Sequence, residues 1–187
     1  MEYRNQQRGV TLLELVVVIA IVAIFATMAV PSLTTFVRDN QLTSAKMQLV
    51  SDLNSARGEA IKRNTRVLVC SGDAITPGNC TNGADWAVTG WVLCYDASPQ
   101  DGQCDVPTAT DPNPFTVRAP LRASVGVNGL QVLFAAPAAP PMYFNPIGSQ
   151  GAAGAASSVS FTLSGSWPGY TGTRTVLVAS TGNITSQ

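Results

Sequence analysis

An apolar run at residues 15–30 follows a short polar start, and a single carboxylate, Glu14, stands at its edge. Residues 12–30 would form a helix of about 28 Å, enough to cross a hydrocarbon core of about 30 Å. A carboxylate inside such a segment is costly, and its partner has to be identified. The candidate partner is a new amino terminus, made by cutting the chain between Gly9 and Val10.

Two ordinary alternatives explain this start less well. A secretory signal would need a shorter apolar core and a small-residue cleavage site after it, whereas residues 26–29 lie inside the run. A plain single-span anchor explains the apolar run but neither Glu14 nor the Gly9–Val10 junction.

Helical periodicity continues beyond Pro31, so this proline is predicted to kink the helix rather than end it. An apolar stripe recurs at steps of three and four residues. Its members are Leu42, Ala45, Leu49, Leu53, Ala56 and Ala60. Lys46, Gln48, Asp52 and Arg57 are expected largely off this stripe. The pattern predicts one helix over 10–64, with its membrane part at about 12–30.

The chain from 65 to 187 has the composition of a β-rich head domain. Strands are predicted at 65–70, 86–95, 116–118, 131–134, 142–144, 159–163 and 174–179, with loop at 96–114 and small-residue connectors at 135–141 and 148–157. Trp86, Trp91 and Trp167 are interpreted as packing aromatics. The predicted fold class is α+β: a long N-terminal helix, membrane-spanning in its first half, packed on an antiparallel sheet or sandwich.

Histidine is absent from the sequence, which excludes catalytic sites and metal sites built on that residue. The net charge is zero, but residues 38–66 sum to +3 and residues 67–187 to −3. A mildly acidic head argues against a general polyanion-binding surface. The aspartates of the 96–114 loop do not form a regular calcium-binding loop. No enzyme activity, cofactor or metal is expected.

Four cysteines, at 70, 80, 94 and 104, form two pairs with the same spacing. In an exported domain this even number predicts a disulfide framework. The favoured pairing is local, Cys70–Cys80 and Cys94–Cys104, because each bond would close a polar, glycine-containing loop. Pairing of Cys70 with Cys94 across strands is the alternative, and a four-cysteine zinc site lacks closely spaced ligand pairs.

The amino-terminal segment resembles the class III signal of type IV pilins and pseudopilins, with Gly9 ending a basic leader, apolar Val10, Glu14 fifth after the cut and Pro31 twenty-second. The resemblance implies that prepilin peptidase removes residues 1–9 and N-methylates Val10. It also implies that Glu14 pairs with the terminal amine of a neighbouring subunit. The precursor would be a single-pass inner-membrane protein with a periplasmic head, later joining a filament.

The chain beyond residue 60 resembles the GspH/FimT (FimU-like) group of minor pilins and minor pseudopilins. The resemblance rests on Val67-Leu68-Val69-Cys70, Gly90-Trp91-Val92-Leu93 and the closing 176–182 segment. It implies a structural minor pilin that helps to initiate or cap a type IV pilus. Its partners would be other minor and major pilins and the inner-membrane assembly platform. A minor pseudopilin of a type II secretion system is the alternative.

A DNA-binding competence pilin is the third hypothesis and ranks well below assembly. Such relatives carry a Gly-Arg-x-Arg type motif near the C terminus, whereas this chain has Gly182-Asn183-Ile184-Thr185. Arg118, Arg122 and Arg174 are scattered in the sequence of the head.

Overall fold

The computed structural model describes residues 10–71, 80, 85–97, 100–106, 113–121, 130–135, 142–151 and 158–187, the side chains of 27–31, 130 and 132–135 excepted. The chain begins with a helix, α1 (Leu12–Arg63), which is continuous across position 31. Thr11 caps its start, and Asn64 ends it in a left-handed conformation with φ 52°, donating its backbone N–H to the carbonyls of Ala60 and Ile61.

Among the residues whose side chains the structure describes, no helix is both long enough and apolar enough to cross a membrane. The membrane part predicted at 12–30 and the kink predicted at Pro31 therefore stay predictions. The predicted leader, with Gly9, lies outside the described residues.

Two antiparallel sheets follow α1. The first has the strand order β3 (Thr116–Arg118), β2 (Trp91–Asp96), β1 (Arg66–Ser71), β5 (Met142–Phe144) and β6 (Gln150–Gly151). The second has the order β4 (Leu130–Ala135), β7 (Ser158–Trp167), β8 (Tyr170–Ala179) and β9 (Ile184–Ser186). The predicted α+β fold, a long helix packed on antiparallel sheets, is confirmed.

The main core lies between the second half of α1 and the inner faces of both sheets. The helix contributes the predicted stripe from Leu42 to Ala60, every member of which is buried. Alternate residues of β1, β2, β7 and β8 face it, as expected where one side of a strand is buried. The helix is thus held to the head along its second half.

A smaller core covers the outer face of the first sheet. Leu68 and Cys70 of β1 point away from α1 and pack with Val92, Cys94 and neighbouring cysteines. This second core explains why β1 is an unbroken apolar run rather than an alternating one.

The prediction of one strand at 86–95 is wrong in its first half. Trp86–Thr89 is a short helix, α2, whose N-terminal cap is Asp85; its carboxylate accepts the Ala87 backbone N–H at 3.0 Å. Gly90, with φ +73°, then turns the chain into β2. Trp86 is nevertheless a core residue, stacked against Trp91 and edge-on to Phe161.

The second sheet is longer than the sequence predicted. The strands predicted at 159–163 and 174–179 form a hairpin of two ten-residue strands, β7 and β8, joined by Pro168 and Gly169. The short strands β6 and β9 were not predicted, and β2 takes in Asp96 of the predicted loop. Much of the predicted loop and connectors (98–99, 107–112, 136–141 and 152–157) lies outside the described residues.

Candidate assembly site

The start of α1 brings together the terminus-proximal residues singled out by the sequence. Thr11 is extended, with φ −76° and ψ 151°, and its hydroxyl accepts the Glu14 backbone N–H at 3.3 Å. This contact fixes Glu14 at the third helical position, one turn from Val10. Val10 and Glu14 are both exposed. An exposed carboxylate therefore stands in the first turn of the helix.

The first half of α1 carries a continuous exposed apolar surface. The exposed large apolar side chains there are Leu12, Leu13, Leu15, Val16, Val17, Val18, Ile19, Ile21, Val22, Ile24 and Phe25. A surface of this extent on one helix is far beyond the scattered apolar residues of an ordinary monomer. It requires a lipid or protein environment, whereas the second half of the same helix is covered by the head.

An ion pair between a buried carboxylate and a partly exposed arginine attaches the middle of the helix to the first sheet. Asp52 accepts two hydrogen bonds from the Arg118 guanidinium, at 2.7 and 2.8 Å, and one from the Trp91 indole N–H at 2.9 Å. These bonds favour the charged guanidinium, so the pKa of Arg118 is raised above its ordinary value. Helix, β2 and β3 are thereby joined at one carboxylate.

The expectation that Asp52 lies off the apolar stripe is wrong. It follows Leu49 by three residues and precedes Ala56 by four, so it falls on the buried face, where it is 3% exposed. Two features of the sequence indicate this contact: the helical spacing of Asp52, which places it on the stripe, and the presence of Arg118 in a short predicted strand.

Glu59 forms a second attachment one turn before the helix ends. Its carboxylate accepts hydrogen bonds from Lys62, Arg63 and Tyr95, each at 3.1 Å. The bond from Lys62 contributes most, and together these donors lower the pKa of Glu59. The Arg63 guanidinium also lies 4.5 Å from the centre of the Tyr95 ring.

Arg57 links the same end of the helix to the C-terminal turn. Its guanidinium donates to the Gly148 carbonyl at 3.0 Å and to the Thr181 carbonyl at 3.4 Å. Gly182 is buried here with φ +80°, and a Cβ at this position would overlap the Gly148 carbonyl oxygen. Glycine is required at 182 for both reasons. This turn belongs to the closing segment quoted for the resemblance.

The cysteines lie together on the outer face of the first sheet. Disulfides join Cys70 to Cys80 and Cys94 to Cys104, with Cα atoms 5.4 Å apart in each pair. The sulfurs of Cys70, Cys94 and Cys104 lie within 4.8 Å of one another, a spacing that could suggest a metal site. In disulfides these sulfurs are not thiolates, which are the form that binds a metal.

Two of the three arginines considered for DNA are held by carboxylates. Arg118 binds Asp52, and Arg174 donates to Asp39 at 2.7 Å. Arg122 lies outside the described residues. The structure therefore does not gather these arginines into one basic surface among the residues it describes.

Comparison with known families gives two matches. The model described as the type II transport protein GspH matches residues 45–182, and the model described as the prokaryotic N-terminal methylation motif matches residues 4–30. Together they take in the start of α1, its buried half and most of the head. No curated protein sequence matches the chain.

Solved structures give a likeness to the type IV minor pilin FimU of Pseudomonas aeruginosa strain PAO1. One crystal form is 16% identical, with a TM-score of 0.53, over 81% of this chain and 92% of that chain. A second form, also 16% identical, has a TM-score of 0.49 over 78% of this chain and 91% of that chain. At this identity the first likeness shows a shared fold.

Proposed function

The chain belongs to the family of the type II transport protein GspH, and from this premise we propose that it helps to initiate or cap a type IV pilus. It is a structural minor pilin, which implies association with other pilins in a filament. The methylation motif implies a membrane-anchored precursor.

The observation that carries the proposal is the division of α1 into two halves. Its second half is buried beneath the head, whereas its first half exposes an apolar surface with Glu14 at the end. Lipid covers such a surface before assembly, and helices of neighbouring subunits cover it afterwards. We therefore assign this half to anchoring and to the filament core, and the head to contacts at the filament surface or tip.

Maturation of the precursor is the second part of the proposal. Prepilin peptidase cuts between Gly9 and Val10 and N-methylates Val10, which keeps the new terminus cationic. The precursor sits in the inner membrane with its head in the periplasm, and the assembly platform moves it into the filament. The subunit acts by contact and catalyses no reaction.

Peptide mass mapping of the native protein under non-reducing conditions tests maturation and the disulfides together. We expect a chain that starts at methylated Val10, with Cys70–Cys80 and Cys94–Cys104 peptides. Each bond closes a loop of about ten residues and should stabilise the head by about 2–3 kcal/mol. A chain that retains Met1, a cut near Ala29, or stoichiometric zinc on free thiols would contradict this part.

A pseudopilin of a type II secretion system is the competing function, and the family description itself names type II transport. The FimU likeness points the other way, because that protein is described as a type IV minor pilin. Deletion of the gene separates the two. We expect loss of surface pili with normal secretion of folded exoproteins, restored by the wild-type gene. Normal piliation with lost secretion would assign the chain to the secretion filament.

A further inference from the structure

The β7–β8 hairpin reaches toward the apolar half of α1. Just after the end of β8, the Thr181 carbonyl accepts a hydrogen bond from Arg57 of the helix. At its beginning, the Tyr170 hydroxyl donates to Asp39 at 2.7 Å. The strand therefore runs along the helix, and the turn before Tyr170 lies at the level of residues 38 and 39.

Residues 167–170, here called the hairpin tip, are amphipathic. Trp167 and Tyr170 are cross-strand partners with ring centres 5.6 Å apart, and exposed Pro168 and Gly169 connect them. The Arg38 guanidinium lies 5.3 Å from the centre of the Trp167 ring. Both rings are partly exposed and also pack against the main core, and the indole N–H of Trp167 is buried. A partly exposed aromatic pair beside a cation and a short exposed turn suits a membrane–water boundary.

The helix below the hairpin tip keeps its apolar surface beyond residue 30. Leu33 and Phe36 are 62% and 64% exposed, and no formal charge occurs between Glu14 and Arg38. Residues 15–37 span about 34 Å as a helix, which an average tilt of about 20° fits to a hydrocarbon core of about 30 Å. In that register Glu14 lies at one boundary of the membrane, and Arg38, Asp39 and the hairpin tip lie at the other.

We propose that the hairpin tip and Arg38 form a seat on the phospholipid headgroup layer, which holds the head against the bilayer before assembly. The inference rests on the proposed membrane-anchored precursor. The exposed Pro168–Gly169 turn and the exposed parts of the Trp167 and Tyr170 rings meet the headgroups, and Arg38 lies near the lipid phosphates. Glu14 at the opposite boundary avoids the hydrocarbon centre, where a carboxylate is costly.

Tryptophan quenching by brominated lipids tests the seat on the full mature chain. The probes are phosphatidylcholine–phosphatidylglycerol vesicles with acyl chains brominated either near the headgroup or near the methyl end. Trp86 and Trp91 are fully buried in the head, so quenching reports Trp167. We expect shallow bromine to remove up to about one third of the emission, since Trp167 is one of three tryptophans and is partly exposed, and deep bromine to remove less.

The matched control is Trp167→Phe, which keeps an aromatic ring at the hairpin tip and should show no bromine-dependent loss. Vesicle flotation is measured on the same samples. Flotation with equal emission in brominated and plain vesicles would overturn the seat and leave anchoring intact. Failure of the chain to float would overturn membrane anchoring itself, and the seat with it.

Discussion

Asp39 and Asp52 both accept hydrogen bonds from an arginine of the head, but in different surroundings. The Asp52 side chain is 5% exposed and that of Asp39 is 46% exposed. An unpaired charge costs far more in the first setting than in the second, because water can replace the arginine only where it has access. The two pairs therefore form a matched comparison within one helix.

We expect Arg118→Ala to destabilise the head by about 2–4 kcal/mol, because Asp52 keeps its bond from Trp91 but loses its counter-charge. Arg174→Ala should cost about 0–1 kcal/mol. Denaturant unfolding of the detergent-solubilised mature chain, followed by near-ultraviolet circular dichroism, measures both. Equal losses for the two variants would contradict the role assigned to burial.

Glu59 makes stability depend on pH in a defined direction. Its lowered pKa means that the folded state favours the carboxylate, so its contribution is complete above the ordinary glutamate pKa of about 4.3. The contribution is lost as the pH falls through the lowered value. We expect wild type to melt at a higher temperature than Glu59→Gln at neutral pH, and the difference to shrink as the pH falls below the ordinary glutamate pKa of about 4.3. A difference that does not change with pH would assign the effect to shape rather than charge.

Among the elements, the turn between β8 and β9 depends on one glycine. Gly182 and Gly169 both have positive φ, but only Gly182 has a backbone atom where a Cβ would go. Gly169→Ala should therefore lower the free energy of unfolding by about 1–2 kcal/mol through its backbone conformation alone, and Gly182→Ala should lower it by more. Unfolding of the two variants, measured side by side, tests this, and equal costs would show that the turn can move away from the Gly148 carbonyl.

The long helix was predictable because its apolar spacing, its polar start and its end all agree. Trp86–Thr89 was not, because aromatic and β-branched residues favour a strand locally. The Asp85 cap and the turn at Gly90 override that preference. Trp86 can reach the core from a helix or from a strand, so its burial does not distinguish the two elements. Strands β7 and β8 were predicted too short because the Pro168–Gly169 turn was not recognised as a hairpin connection.

The candidate site was predictable only where it depends on neighbours in sequence. Val10, Thr11 and Glu14 lie within one helical turn, so their arrangement follows from the chain itself. The contacts of Asp52 with Arg118, and of Arg57 with the Thr181 carbonyl, join residues 66 and 124 positions apart. Sheet order brings them together, and spacing in the sequence does not contain that order.

At the scale of the whole molecule, one helix serves two environments. Its second half buries Leu42, Leu49 and Leu53 against the sheets, and several side-chain contacts fix it there. The described side chains of its first half, residues 12–26, are exposed. A change at Glu14 should therefore leave the head intact and act only where subunits meet.

We expect Glu14→Leu to be cleaved and inserted normally but absent from sheared filaments. Leucine is an apolar residue that adds no charge to the membrane segment or its boundary, so insertion should be at least as good as in wild type. It also leaves a neighbour's amine without an acceptor in a low-dielectric surrounding. Membrane level, leader cleavage and filament content are compared by immunoblot.

The matched control is Thr11→Ala, which removes the helix cap, worth about 1 kcal/mol, but keeps the carboxylate. Thr11 and Glu14 lie in the same helical turn. If Thr11→Ala enters the filament and Glu14→Leu does not, the defect comes from the lost ion pair and not from a weakened helix cap. Normal incorporation of Glu14→Leu would show that the carboxylate is not the assembly contact, and its loss from the membrane would make it an insertion determinant.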